Sequence, residues 1–129
     1  MKPLRRGVIG TGQAWRRLYE PALRRTARFE AAAFTDLAGS PAPAFGTVDD
    51  MVQGGAIDCA LVLSPAALHS AHVLACAAHG VPVLVEKPPA LSLAEVETWS
   101  GYASLVRPAF SRRYWPRYRH HGRNGHAWR

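Results

Sequence analysis

Short, unbroken apolar runs alternate with longer segments of helical period along this chain of 129 residues. The run inside "RRGVIG" leads into a glycine turn and predicts a first strand. In "AWRRLYEPALRRTA", Trp15, Leu18, Tyr19, Ala22 and Leu23 fall on or near one helical face. Pro21 predicts a kink there, or a second helix starting at that residue, because proline has no N–H for the preceding turn. "FEAAAFTD" predicts a second strand. "LAGSPAPAFGTVDD" is rich in small residues, glycine and proline and reads mostly as loop, while "VDDMVQG" can close a short helix. "IDCALVLSP" predicts a third strand ending at Pro65, and "AALHSAHVLACAAHG" an apolar helix that stops at Gly80. "VPVLVEKP" predicts the next strand. "LSLAEVETWSGYA" predicts a helix with Ser92 as N-cap and Glu95 three residues on. "RPAF" predicts one last strand.

Strands that are apolar throughout are buried on both faces, which is the habit of parallel sheets covered by helices. The expected fold class is therefore α/β, a doubly wound parallel sheet of Rossmann type. There is no internal repeat and no heptad pattern. The length suffices for one domain with a core. No apolar run approaches the roughly 20 residues needed to span a bilayer. The N-terminal "MKPLRRGVIG" is basic, but its apolar stretch is too short for a signal peptide. The expectation is a cytoplasmic protein with no membrane partner. Cys59 and Cys76 lie on apolar segments without CxxC spacing and read as buried thiols, not as a disulfide or metal pair.

Charge changes the picture only at one end. The net charge is +7, yet residues 1–106 carry nine Lys and Arg against nine Asp and Glu. From Arg107 to Arg129 there are seven arginines and no acidic residue. The expected division is a domain at 1–111 and a basic, disordered tail at 112–129. Arginine on phosphates and Tyr or Trp stacked on bases make nucleic-acid binding an alternative for that tail. A plain basic extension is the preferred reading, and no nucleic-acid partner is expected.

Four places carry candidate chemistry. "GVIGTGQAW" sets Gly10 and Gly12 directly after a strand and before a helix. A dinucleotide fold needs a tight turn there, close backbone approach to pyrophosphate, and helix N–H groups aimed at it. Gly10, Thr11, Gly12, Gln13 and Ala14 are thus candidate cofactor-binding residues; the alternative is an ordinary strand-to-helix turn. Trp15 stands where the third small residue belongs, with Ala14 beside it. Asp36, somewhat more than 20 residues past the glycines, is placed to bind a ribose 2′-hydroxyl; the alternative is a solvated loop aspartate. Its carboxylate would repel a 2′-phosphate, so NAD is expected over NADP, with NADP still possible. Ser64 and Pro65 end a buried strand and His69 follows, near the strand carboxyl ends where open α/β sheets bind ligands. His69 could equally be structural, and His72 and His79 read as structural or exposed. Finally, Glu86, Lys87 and Pro88 close a buried strand at the same edge. Charge there costs desolvation unless something polar uses it. The competing readings are a positioned ammonium and a surface Glu86–Lys87 ion pair.

"GVIGTG", "SPAALH", "VLVEKPPALSLAE" and "FSRRYWPRYR", in this order, resemble the Gfo/Idh/MocA family of oxidoreductases over residues 4–119. The tripeptide Glu86-Lys87-Pro88 is the most specific mark. The resemblance implies an N-terminal Rossmann domain, with an α/β substrate domain that is absent from this chain. It implies an enzyme acting with NAD(P) on a small-molecule sugar or polyol once a second domain completes it, by hydride transfer at a carbinol carbon. Lys87 would be the catalytic lysine, Gly10 and Gly12 would bind pyrophosphate, and Asp36 would bind ribose. Ser64, Pro65 and His69 would line the nicotinamide side, and Glu86 and Lys87 would complete the cofactor site. Departures from the family pattern are Trp15, a short segment after Asp36, the expected absence of a helix before the third strand, a trimmed link from "SGYASL" to "RPAF", and the end of the chain itself. They suggest a truncated enzyme or a non-catalytic dinucleotide-binding remnant.

Overall fold

Six parallel strands form the sheet among residues 1–35 and 41–116, the part of the chain that the computed structural model describes. They are β1 (Leu4–Ile9), β2 (Phe29–Thr35), β3 (Ala44–Phe45), β4 (Cys59–Val62), β5 (Val83–Val85) and β6 (Val106–Pro108), in the order β3-β2-β1-β4-β5-β6. All neighbours run parallel, so every carboxyl end lies at one edge. The predicted strands are found, and one was not foreseen. Ala44–Phe45, inside the segment read as loop, pairs Phe34 with Ala44 and Thr35 with Phe45. Two residues are too few to show a period, and the pairing comes from the neighbouring strand. The ladder between β1 and β2 shifts register between Arg6 and Gly7, which leaves Ala32 as the extra residue.

The helices are unequally shared between the faces. α2 (Val48–Gly54), α3 (Ala66–Ala77) and α4 (Leu93–Trp99) pack on one face, around Ile9, Ala33, Met51, Val62, Val73 and Val85. The helix reading of "VDDMVQG" holds, and α2 occupies the place before the third long strand where the resemblance suggested a missing helix. Thr47 caps it, its Oγ1 accepting from the Asp50 N–H at 3.0 Å. Ser92 caps α4 in the same way, accepting from the Glu95 N–H at 3.2 Å. Glu95 reaches back one residue farther than a capping box requires, accepting from the Leu91 N–H at 2.7 Å. Buried polar groups between α3 and α4 satisfy one another: Trp99 Nε1 donates to Ser70 Oγ, which donates to the Glu95 carbonyl.

The other face carries the first helix, a π-helical turn (Trp15–Tyr19) running into α1 (Glu20–Leu23). Glu20 N–H donates to the Trp15 carbonyl, the i to i+5 bond of a π turn. Pro21 sits at the start of α1, where its missing N–H breaks the α ladder behind it. The wide turn keeps Trp15, Tyr19 and Leu23 on the sheet and carries Leu18 into solvent. The sequence had grouped Leu18 and Ala22 with them; the break expected at Pro21 is found, and the π turn ahead of it shifts the face. Trp15 is buried among Val8, Phe34, Leu61 and Leu63, edge-on to Phe34 with ring centroids 5.7 Å apart. A large ring at this position is therefore a core residue. The short link after α4 is a 3₁₀ helix (Ser100–Leu105) leading straight into β6, and a second 3₁₀ turn (Ser111–Tyr114) follows. Most of the basic tail, residues 117–129, lies outside the described residues, as does Asp36.

Trp15→Ala should cost about 3–5 kcal/mol, the usual range for removing a buried aromatic. Urea unfolding followed by circular dichroism checks this; an unchanged midpoint would contradict the packing role of the ring.

Candidate functional site

The strand order reverses direction between β1 and β4, and a crevice opens there. Gly10 leaves β1 with φ +95°, a conformation L side chains rarely adopt. Its N–H donates to the Thr35 carbonyl at 2.9 Å, while the Leu63 N–H donates to the Ile9 carbonyl at 2.7 Å. A Cβ on Gly10 would stand 2.7 Å from the Ser64 nitrogen and 2.8 Å from the Leu63 carbonyl carbon. Gly12 is the opposite case, since a Cβ there would meet nothing within 4 Å. The helix opens at Gly12, whose carbonyl accepts from the Arg16 N–H. Thr11 is buried beneath the turn, Gln13 is exposed and Ala14 is half-buried.

A cavity of about 770 Å³ spreads from these glycines along the carboxyl edge. Ser64 and Pro65 line it, together with Thr35, Val48, Leu63, Leu68, Ala71 and Ala75. His72 also lines it, whereas His69 does not. His69 is 2% exposed and buried beneath the strand ends. Its Nε2 lies 2.6 Å from the Ser64 carbonyl oxygen and its Nδ1 2.7 Å from that of Pro88, so the ring bridges the end of β4 and the loop after β5, a neutral ring donating its one N–H to one of the two carbonyls. His72 Nδ1 is 2.8 Å from Ser64 Oγ. Partial burial, and then the neighbouring His69, hold His72 below its usual pKa of 6.5.

Glu86 and Lys87 do not form the ion pair that the sequence offered as one reading. Tyr19 donates its hydroxyl to Glu86 Oε1 at 2.5 Å, and the Lys87 backbone N–H donates to Glu86 Oε2 at 3.0 Å. Both carboxylate oxygens are thus used. The Glu86 N–H continues the ladder to the Val62 carbonyl. Burial, and then the carboxylate it serves, push the Tyr19 phenol well above its ordinary range. The Lys87 side chain is exposed, and among the described residues its ammonium has no hydrogen-bond or ion-pair partner. Sequence reasoning missed Tyr19 and His72 as site residues. Tyr19 had been grouped with an apolar face, and the only signal for His72 was its place one turn beyond His69. No three His, Cys, Asp or Glu side chains among the described residues come together to hold a metal ion. Cys76 is buried and its thiol is pushed up to about 12 by that burial, with Asp49 adding to the effect.

A parallel sheet with this order, a crevice at its switch point and a glycine turn opening a helix define a dinucleotide-binding Rossmann fold. The open space above Gly12 and a cavity within the usual range of about 300–1,000 Å³ fit such a ligand. The oxidoreductase family with an NAD-binding Rossmann fold, GFO_IDH_MocA, matches residues 4–104. The chain belongs to this family, whose cofactor is NAD. It is 28% identical over 126 residues to the rhizopine catabolism protein MocA of Rhizobium meliloti, covering 92% of this chain and 39% of that protein. Scyllo-inositol dehydrogenase of Lactobacillus casei, solved with bound NAD(H) and scyllo-inositol, superposes with a TM-score of 0.79 at 24% identity. That match covers 95% of this chain and 40% of the dehydrogenase. D-galactose-1-dehydrogenase of Rhizobium etli gives a TM-score of 0.78 at 23% identity, over 90% of this chain and 40% of that one. These structures share the fold, and the chain spans about two-fifths of the length of each relative.

The two glycines should separate on substitution. Gly10→Ala should destabilise the protein by more than the roughly 1–2 kcal/mol of a left-handed backbone alone, because the new Cβ also meets Ser64. Gly12→Val should leave stability within about 0.5 kcal/mol and yet abolish NADH binding. Thermal unfolding and calorimetry with NADH read both; equal NADH binding by wild type and Gly12→Val would remove the glycine turn from the site.

Proposed function

We propose that this chain is the cofactor-binding part of an NAD-dependent oxidoreductase acting on a carbinol carbon of a sugar, polyol or related compound. The observation that carries the reading is the ammonium of Lys87. β5 delivers it to the ligand edge, and the carboxylate beside it is already committed to Tyr19 and to backbone. A cation held without an internal partner can serve a substrate oxygen on which negative charge develops.

In this reading the turn Gly10–Ala14 receives the pyrophosphate, and the amides of the first helical turn, which a helix leaves free, face it. Asp36 takes the ribose hydroxyls and disfavours a 2′-phosphate. Ser64 and Pro65 wall the crevice on its β4 side. His69 acts through the two carbonyls it ties together, and Glu86 braces the strand end. Bound NAD supplies the hydride acceptor. Lys87 hydrogen-bonds the substrate oxygen and helps carry its proton. Residues 1–111 form this unit, and the basic extension 112–129 takes no part in it. The groups that choose the substrate belong to a second domain, for which the greater length of the relatives leaves room. The alternative of a non-catalytic binding module shares the same crevice and differs only in turnover.

NADH should quench the tryptophan fluorescence of the chain and bind more tightly than NADPH. Lys87→Ala should leave NADH affinity within about twofold, since the lysine is not among the residues that line the crevice with Gly10 and Gly12. With a second domain supplied by fusion, polyol or sugar oxidation should appear and should fall on the order of 10²–10⁴-fold in Lys87→Ala. Full activity in the fused Lys87→Ala variant would overturn the role given to the lysine, and tighter NADPH binding the role given to Asp36.

A further inference from the structure

His72 has no function in the account above, although it stands on the wall of the crevice. Most of that wall is apolar, built from Ile9, Val48, Leu63, Leu68, Ala71 and Ala75. Ser64 Oγ engages Nδ1 of the ring at 2.8 Å, and among the described residues Nε2 has no hydrogen-bond partner. A half-buried ring nitrogen beside an apolar cavity costs free energy unless something polar meets it. Ser64 also stands against the glycine turn, so close that a Cβ on Gly10 would lie 2.7 Å from its nitrogen. The residue that orients His72 thus touches the turn proposed to receive the pyrophosphate.

We propose that His72 is a contact for the dinucleotide: Ser64 orients the ring, Nε2–H meets a phosphate oxygen, and the bound anion draws a second proton onto the imidazole. The inference rests on the reading that this crevice takes NAD, and it adds a residue and a proton to that reading. A neutral ring with Nε2–H accepts the Ser64 hydroxyl hydrogen at Nδ1. On protonation the hydroxyl, which can donate or accept, turns to accept from Nδ1–H. One proton is taken from solvent and none is lost elsewhere.

The charges around the ring come from several elements. His69, on α3 itself, opposes protonation of His72. Asp49, in the first turn of α2, is the acidic side chain on the same cavity wall. The ends of β1, β2 and β4 bring Gly10, Gly12, Thr35 and Ser64 to the wall, none of which titrates there. In the free protein, burial and His69 keep the ring below 6.5 and neutral near pH 7. A phosphate beside it acts in the opposite sense, so the bound pKa lies above the free one. Affinity for NADH therefore rises as pH falls through the bound-state pKa, and it levels off below the free-state pKa.

Calorimetry of NADH binding to the 129-residue chain tests this, run between about pH 8 and pH 5 where histidine titrates. Buffers of different ionisation enthalpy read proton uptake directly. The expected result is an affinity that rises about tenfold per unit of pKa separation, with net proton uptake, and a His72→Gln variant that binds NADH more weakly with a flattened profile. The difference between the two profiles isolates His72 from the other histidines. Should His72→Gln unfold, the His72 ring resonances of the wild type, titrated with and without NADH, give the same answer. A bound-state pKa no higher than the free one would overturn the inference. Identical profiles for wild type and a folded His72→Gln would overturn it while leaving the NAD reading intact. Failure of NADH to bind either protein would remove both.

Discussion

The close approach of Gly10 to the end of β4 is the constraint from which the rest of the site follows. β1 is central, paired with β2 on one side and β4 on the other. Its last residues bond to both neighbours, through Gly10 N–H to Thr35 and Ile9 carbonyl to Leu63 N–H. The chain must then leave the sheet between two strand ends, turn, and begin a helix within a few residues. A left-handed glycine does this without a side chain, and the space it saves is filled by the backbone of Leu63 and Ser64. The turn and the end of β4 therefore form one continuous surface.

That contact also sorts the histidines of α3. The helix begins at Ala66, directly after Ser64 and Pro65, so its first turns lie over the strand ends. His69 points inward, its two ring nitrogens within hydrogen-bond distance of the Ser64 and Pro88 carbonyl oxygens. His72 is placed one turn on and shares the crevice with Ser64. A residue whose ring nitrogens are both engaged holds loops together; one with a nitrogen left over can meet a ligand.

Bracing of the β5 end comes from the opposite face. The π turn in the first helix sets Tyr19 over the sheet, and its hydroxyl reaches Glu86 across 67 residues of sequence. Hydrogen bonds to a charged acceptor are stronger than neutral ones and shield its charge from other partners. With Glu86 held by Tyr19 and by the Lys87 N–H, the lysine ammonium has no internal claim on it. The helix whose amino end opens over the glycine turn thus also braces the strand that carries the lysine.

Much of this was legible in the residues themselves. Apolar runs bounded by turn residues marked β1, β2, β4, β5 and β6, because strands buried on both faces have no polar positions to interrupt them. Ser92 stood where a cap belongs, and Gly10, Gly12 and the Glu86-Lys87-Pro88 tripeptide carried the fold and the family. What the sequence could not determine were relations between residues far apart along it. The pairing of β3 with β2 rests on two residues with no period of their own. Trp15 looked like a misfit in the turn until Phe34 was seen beside it. Lys87 was one candidate partner for Glu86, and the structure pairs Glu86 with Tyr19 instead. The choice of His72 over His69 for the crevice wall depends on the rotation of α3 against the sheet. Local propensity and spacing fix elements because they act within a few residues; which side chains meet is decided by how those elements cross, and only the tertiary structure holds that.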